Sequence, residues 1–205
     1  MTAILTPPVE ATQKVILDNI SWETYLRLLE ERGETPQPRY SYDHGRLEIM
    51  VASYERESLK HDIAALVEAI AEVFELDLVG AGSTTFNRED LAQGVEPDVC
   101  VYIENAERIR GKKRIDLAVD PAPELLIEVD IASPSLNKFP IFAGLGIAEA
   151  WRYHKQTLTI LALDSNFGVY REQAESNVLT GVTPAGLTCL IAEARELKRT
   201  VWLRS

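Results

Sequence analysis

The sequence predicts a single α+β domain in which a mixed central β-sheet is flanked by α-helices, with a helix and a hairpin at its N-terminal side. Three observations predict it. Within residues 58–74, Ile63, Leu66, Val67, Ile70, Val73 and Phe74 fall at offsets 0, 3, 4, 7, 10 and 11, the apolar stripe of an amphipathic helix. Residues 77–86, 98–103 and 124–131 lean towards β-structure between polar or Gly/Pro-containing loops, and the last, ELLIEVDI, is apolar apart from its acidic members, as in a strand covered on both faces. The length of 205 residues, with 46% hydrophobic and 26% charged residues, matches one ordinary globular domain.

Taken in order, residues 1–14 contain Pro7, Pro8 and small polar residues and read as a flexible arm before a domain of residues 15–205. Ser21 caps a first helix whose stripe is Trp22, Tyr25, Leu26, Leu28 and Leu29, and Gly33 ends it. Residues 39–51, RYSYDHGRLEIMV, form two alternating runs around Asp43-His44-Gly45, a hairpin signal that leaves Glu48 on its second strand. After the long helix and the three strands come a short helix over 139–145, a hairpin-like pair over 157–163 and 168–171, and a last helix over 186–203 carrying Leu187, Leu190, Ile191 and Ala194. No internal repeat is visible.

Charge and cysteine usage bound the function. Twenty-one Lys and Arg against 32 Asp and Glu give a formal net charge of −11, which disfavours diffuse attraction to nucleic acid or anionic membrane. Cys100 and Cys189 each lie in an apolar run and read as buried free thiols of a reducing compartment. The first residues lack the basic and apolar regions of a signal peptide, and no run approaches a membrane span, so a cytoplasmic protein without membrane contact is expected.

A carboxylate inside an apolar strand requires a partner or a metal. Glu128 and Asp130, two residues apart, project from one side of their strand. Asp98 follows Pro97 and opens the apolar run VCVYI. Oxygen donors from adjacent strands suit Mg²⁺ or Mn²⁺, and such a site suits phosphate-ester hydrolysis, with a nearby Lys opposing the developing charge. Each residue also has a plainer reading. Asp98 can hydrogen-bond its own turn, Glu128 can form a buried salt bridge to Lys138 or Arg152, Asp130 can face solvent at the strand end near Ser133-Pro134, His61 can be a surface histidine and Glu48 a solvated cross-strand residue. The run RIRGKKR places Arg108, Arg110, Lys112, Lys113 and Arg114 in the loop between the Asp98 and Glu128 strands, a candidate contact for a phosphodiester backbone or a solvated loop balancing acidic surface.

The ordered set GVEPDVCVYI, PELLIEVDIASPS and NKFPIFAGLGIAEAWRYH, with the preceding hairpin and His61, resembles the Uma-two type endonucleases, a bacterial branch of the PD-(D/E)XK restriction-endonuclease-like superfamily. The resemblance runs from residue 39 to about residue 170. It implies a restriction-endonuclease-like core on which Asp98 and Glu128 hold Mg²⁺ or Mn²⁺, Glu48 adds a metal-shell carboxylate and His61 a supporting polar group. The superfamily pattern places a Lys two residues after the Glu, where this chain has Asp130, so Asp130 assists and Lys138 is the candidate for a migrated lysine. The implied reaction is attack of metal-activated water on a DNA backbone phosphate. Asp130 and the acidic charge favour a rival, a catalytically inactive nuclease-like binding or assembly module, and a hydrolase of a small phosphorylated substrate is a third reading. A homodimer would suit the two strands of a duplex, although no segment marks an interface.

Overall fold

In the computed structural model, residues 11–82, 84–131 and 136–204 are described. The expected arm of residues 1–14 lies mostly outside them, and where the chain is described it is not an arm: β1 (Gln13–Leu17) pairs antiparallel with β3 (Arg46–Val51), placing Lys14 opposite Met50 and Ile16 opposite Glu48. Between them α1 (Trp22–Arg32) starts at Ser21, whose hydroxyl accepts from Thr24 N, and stops at Gly33, which takes the left-handed φ of 65°. The expected hairpin forms as β2 (Arg39–Asp43) and β3, turned by His44 and Gly45 at φ 47° and 91°.

The long helix, α2 (Tyr54–Val73), begins four residues before the expected start, because Ser53 caps it with a hydroxyl that accepts from Arg56 N. Residues 77–86 do not make one central strand. They divide into β4 (Val79–Gly80) and the start of β5 (Phe86–Arg88), which belong to different sheets, and β5 pairs with β6 (Gln93–Val95). The Gly82 turn explains the break: its φ is 54°, a conformation that does not continue an extended ladder. The strands expected around 98–103 and 124–131 are β7 (Val99–Tyr102), followed by the one-turn helix α3 (Ala106–Ile109), and β8 (Leu125–Asp130).

Then come α4 (Phe139–Gly144), the unforeseen β9 (Glu149–His154), β10 (Thr157–Asp164) and β11 (Val169–Gln173). The expected last helix is two, α5 (Pro184–Glu193) and α6 (Arg199–Trp202), because Lys198, between them, is extended at ψ 135°. No described helix is long and apolar enough to cross a membrane. Cys100 is buried as expected, but Cys189 on α5 is exposed.

The strands form two sheets rather than one. The first, antiparallel throughout, has the order β1-β3-β2-β6-β5; the second, β11-β10-β9-β8-β7-β4, is mixed because β8 and β9 run parallel. Strand alternation divides β8 between two cores. Leu125, Ile127 and Val129 meet Leu59, Ile63 and Val67 of α2 with Leu187 and Ile191 of α5, whereas Leu126 meets Phe86, Val95, Phe142 and Ala150 on the opposite side. That second face carries Glu128 and Asp130, so both carboxylates sit where the sheets and α4 converge.

Candidate functional site

Two strand registers and one helix start assemble the site. In the antiparallel β7–β8 pair Val99 lies opposite Ile127, which puts Asp98 beside the Glu128 end of β8. Glu48 comes from β3 of the other sheet, Arg39 from β2, Arg56 from the first turn of α2 and Lys138 from the residue before α4.

Asp98 is fully enclosed. Its Oδ1 accepts from Arg39 Nη1 at 2.5 Å, and its Oδ2 accepts from Arg56 Nη2 at 2.6 Å and Val129 N at 2.8 Å. Burial alone would raise its pKa, but Arg56, Arg39 and Lys138 hold it below the ordinary 3.8. Glu128 Oε1 accepts from Lys138 Nζ at 2.6 Å and Arg56 Nη2 at 3.1 Å. The second oxygen, Oε2, is buried with no hydrogen-bond partner among the described residues. Glu48 accepts from Leu136 N at 2.8 Å and lies 3.6 Å from Lys138 Nζ. Burial would lower the Lys138 pKa, yet Glu128 and Glu48 keep it above 10.5, so the ammonium stays charged.

Asp130, two residues on, is mostly buried: its Oδ2 accepts from Arg152 Nη2 at 2.7 Å, and its Oδ1, 3.9 Å from Lys14 Nζ, accepts no hydrogen bond among the described residues. Lys14 is the unforeseen lysine of the site. Burial depresses its pKa, Glu48 and Asp130 oppose that shift, and Arg56 and Lys138 add to it.

The structure therefore brings together Asp98, Glu128, Glu48, Asp130 and Lys138, and changes how they relate. The plainer reading of Glu128, a buried bridge to Lys138, holds alongside its place in the site. Among the described residues no group of three or more His, Cys, Asp or Glu side chains is placed to hold a metal ion, and the Asp98 oxygens are occupied by two guanidinium groups and an amide. What fits a hard cation is narrower: the orphaned Glu128 Oε2, with Asp130 beside it, on the wall of a cleft of about 430 Å³ that Asn137, Lys138 and Arg152 also line. One or two carboxylates suffice for Mg²⁺, which keeps much of its water and takes substrate phosphate as a further ligand.

His61 is exposed on α2, and none of the hydrogen bonds or ion pairs at these carboxylates involves it. The helix turns its apolar face and Arg56, not His61, towards the sheets. The basic run, a candidate contact in the loop between the Asp98 and Glu128 strands, lies away from the carboxylates. Because β7 runs away from Asp98 and β8 returns to Glu128, the loop between them hangs from the opposite end of the sheet, about 15 Å away at about 3.3 Å per residue. There Arg110 pairs with Asp77, Lys112 bonds Asp120 at 2.7 Å and Arg108 bonds Asn105.

Sequence reasoning missed Lys14, Arg39 and Arg56, and it named Arg152 as a partner of Glu128, whereas Arg152 bonds Asp130. None of the three missed residues carried a signal, Arg56 because the helix was expected to start only at residue 58, so its place in the first turn was not visible.

No curated protein matches the chain. A crystal structure from Anabaena variabilis ATCC 29413, described as "a putative nuclease belonging to DUF820", is 18% identical, with 90% of this chain and 99% of that one covered at a TM-score of 0.49. The family model named Uma2, described as "putative restriction endonuclease", matches residues 22–192. That match takes in β2, α2, β7, β8 and Lys138, the elements and residue that build the site, and stops short of Lys14; the chain belongs to the Uma2 family.

Proposed function

We propose that this protein, a nuclease by family, is an endonuclease that hydrolyses DNA phosphodiester bonds with the help of Mg²⁺ or Mn²⁺ held at Glu128 and Asp130. The observation that carries the reading is Glu128 Oε2, a buried acceptor without a hydrogen bond on a residue that lines a polar cleft, while its other oxygen, Oε1, accepts from the Lys138 ammonium at 2.6 Å. A buried orphan oxygen is costly and calls for a ligand. A bound divalent cation supplies Lewis-acid polarisation of a phosphoryl oxygen and makes water acidic enough to attack it.

The chain's own groups do the rest. Lys138, charged and fixed by Glu128, faces the cleft and opposes negative charge that builds on the phosphoryl oxygens in the transition state. It stands in for the lysine that Asp130 displaces from the superfamily position. Arg56 ties Asp98 to Glu128 through one nitrogen, so Asp98 acts by positioning: it holds the guanidinium that orients Glu128.

A second reading, a catalytically inactive module, is favoured by one observation, the closure of Asp98 by Arg39 and Arg56. Incubating the chain with supercoiled, linear and single-stranded DNA in Mg²⁺ or Mn²⁺, beside Glu128→Ala and Lys138→Ala, separates the two. Metal-dependent cutting that Glu128→Ala abolishes supports the nuclease. No cutting with any metal, together with no Mn²⁺ binding by calorimetry, supports the inactive module. Full cutting by Lys138→Ala removes that lysine from the mechanism.

A further inference from the structure

The cleft at Glu128 is the middle of a longer trough. It shares Asn137, Phe139 and Arg152 with a neighbouring cleft of about 360 Å³ that reaches Tyr170, and shares Asp130 with another of about 240 Å³ walled by His154, Lys155 and Arg195. The trough follows the ends of the parallel strands β8 and β9, where Glu128 lies opposite Arg152 and Asp130 opposite His154. Its walls bear four cations, Lys138, Arg152, Lys155 and Arg195, against three carboxylates, Glu128, Asp130 and Glu55, on a chain whose overall charge is −11. The trough is thus locally cationic on an acidic protein.

Two of these cations are presented outward. Lys155 and Gln156, both left-handed at φ 47° and 61°, form the two-residue turn between β9 and β10, so Lys155 stands at the tip of a hairpin, exposed and without an ion-pair partner among the described residues. Arg152 bonds Asp130 through one nitrogen and keeps 41% of its side chain exposed, leaving donors of its fork for a second anion. Two strand residues, Tyr153 and His154, lie between them, which sets their backbones about 10 Å apart at about 3.3 Å per residue, a span that lets both cations meet one polyanionic backbone. Arg195 is already engaged by Glu55 at 3.3 Å, and the Phe139–Tyr170 end, two rings 5.5 Å apart edge to face, has no cation besides Arg152.

The geometry points to this trough as the track for a nucleic-acid backbone, with Arg152 and Lys155 as its phosphate contacts on the His154 side of the Glu128–Lys138 cleft, in place of the basic run of residues 108–114. This rests on the nuclease reading and adds to it where the substrate lies. The run has the charge but the wrong address: it occupies the far end of the sheet, with Arg110 and Lys112 already paired to Asp77 and Asp120.

The test is the salt dependence of duplex binding, read by fluorescence anisotropy with a labelled DNA duplex and the full chain carrying Glu128→Gln to prevent cutting. In that background Lys155→Gln and Arg152→Gln are each expected to weaken binding and to lower the slope of log K against log salt by about 1, as loss of one phosphate contact does. The pair Lys112→Ala with Lys113→Ala is expected to leave affinity and slope unchanged. Lys155 is exposed on a turn, so its variant folds normally and keeps the test decisive if Arg152→Gln disturbs Asp130. Unchanged binding in Lys155→Gln, or a loss confined to the Lys112/Lys113 variant, overturns the track while wild-type cleavage leaves the nuclease reading standing. Absence of both cleavage and low-salt binding overturns the two together.

Discussion

At the scale of single residues, the site is governed by what a buried charge requires. Arg56 is fully buried and bonds both Asp98 and Glu128, so removing it leaves two enclosed carboxylates short of a cation. Breaking a buried pair costs about 3–5 kcal/mol. Arg56→Met, similar in length and uncharged, is expected to lower unfolding stability in urea by about that amount, and a loss below about 1 kcal/mol would show the network to be dispensable. Asp98 adds a pH signature. Its folded pKa is held below 3.8 by Arg56 and Arg39 against burial, so its contribution is fully present above pH 3.8 and disappears as pH falls through the depressed value. Acid unfolding of Asp98→Asn should therefore be less steep below pH 3.8 than that of the wild type, and identical slopes would contradict the clamp. Legibility at this scale was one-sided. Glu128 announced itself because a carboxylate between Ile127 and Val129 must be accounted for, whereas Arg39 and Arg152, cations on strands of ordinary polarity, carry no such tension in sequence.

At the scale of elements, the site depends on where segments start. Ser53 fixes the first turn of α2, and its hydroxyl accepts from the amide of Arg56 itself, so cap and clamp are one feature. Ser53→Ala is expected to cost about 1 kcal/mol in chemical denaturation and to reduce cleavage by loosening Arg56; unchanged cleavage would separate the cap from the site. The other sheet carries a tighter constraint. A Cβ at Gly94 of β6 would collide with the Tyr25 hydroxyl, which bonds Asn87 at 2.7 Å, and with Asn87 Oδ1 at 2.6 Å. Gly94→Ala should lower the thermal midpoint by the several degrees that about 1–3 kcal/mol of overpacking implies. The helix over α2, the 39–51 hairpin and the strands β7 and β8 were legible because period and turn chemistry are local. By contrast β9, EAWRYH, was not: it mixes charge with aromatic residues, and its pairing with β8 is what makes it a strand.

At the scale of the whole molecule, the ion cluster spans both sheets and sets a stability window. Lys138 keeps its pKa above 10.5 through Glu128 and Glu48, so its contribution is present below pH 10.5 and is lost as pH rises through the raised value. Asp98 bounds the acid side and Lys138 the alkaline side, and stability should be flat with respect to these two groups between 3.8 and 10.5. Replacing Lys138 with Met should remove the alkaline limb in a pH series of unfolding midpoints. By itself the sequence determined the α+β class, the Ser21 cap, the turn at residues 43–45 and the need of Glu128 for a partner, since these follow from local periodicity, turn chemistry and the cost of a carboxylate in an apolar strand. Only the tertiary structure decided that two sheets, not one, enclose the site, that Lys14 and two arginines close it, and that residues 108–114 lie at its far end. The physical reason is that strand direction and register are collective: a loop's distance in sequence from a carboxylate is unrelated to which end of an antiparallel pair it leaves from.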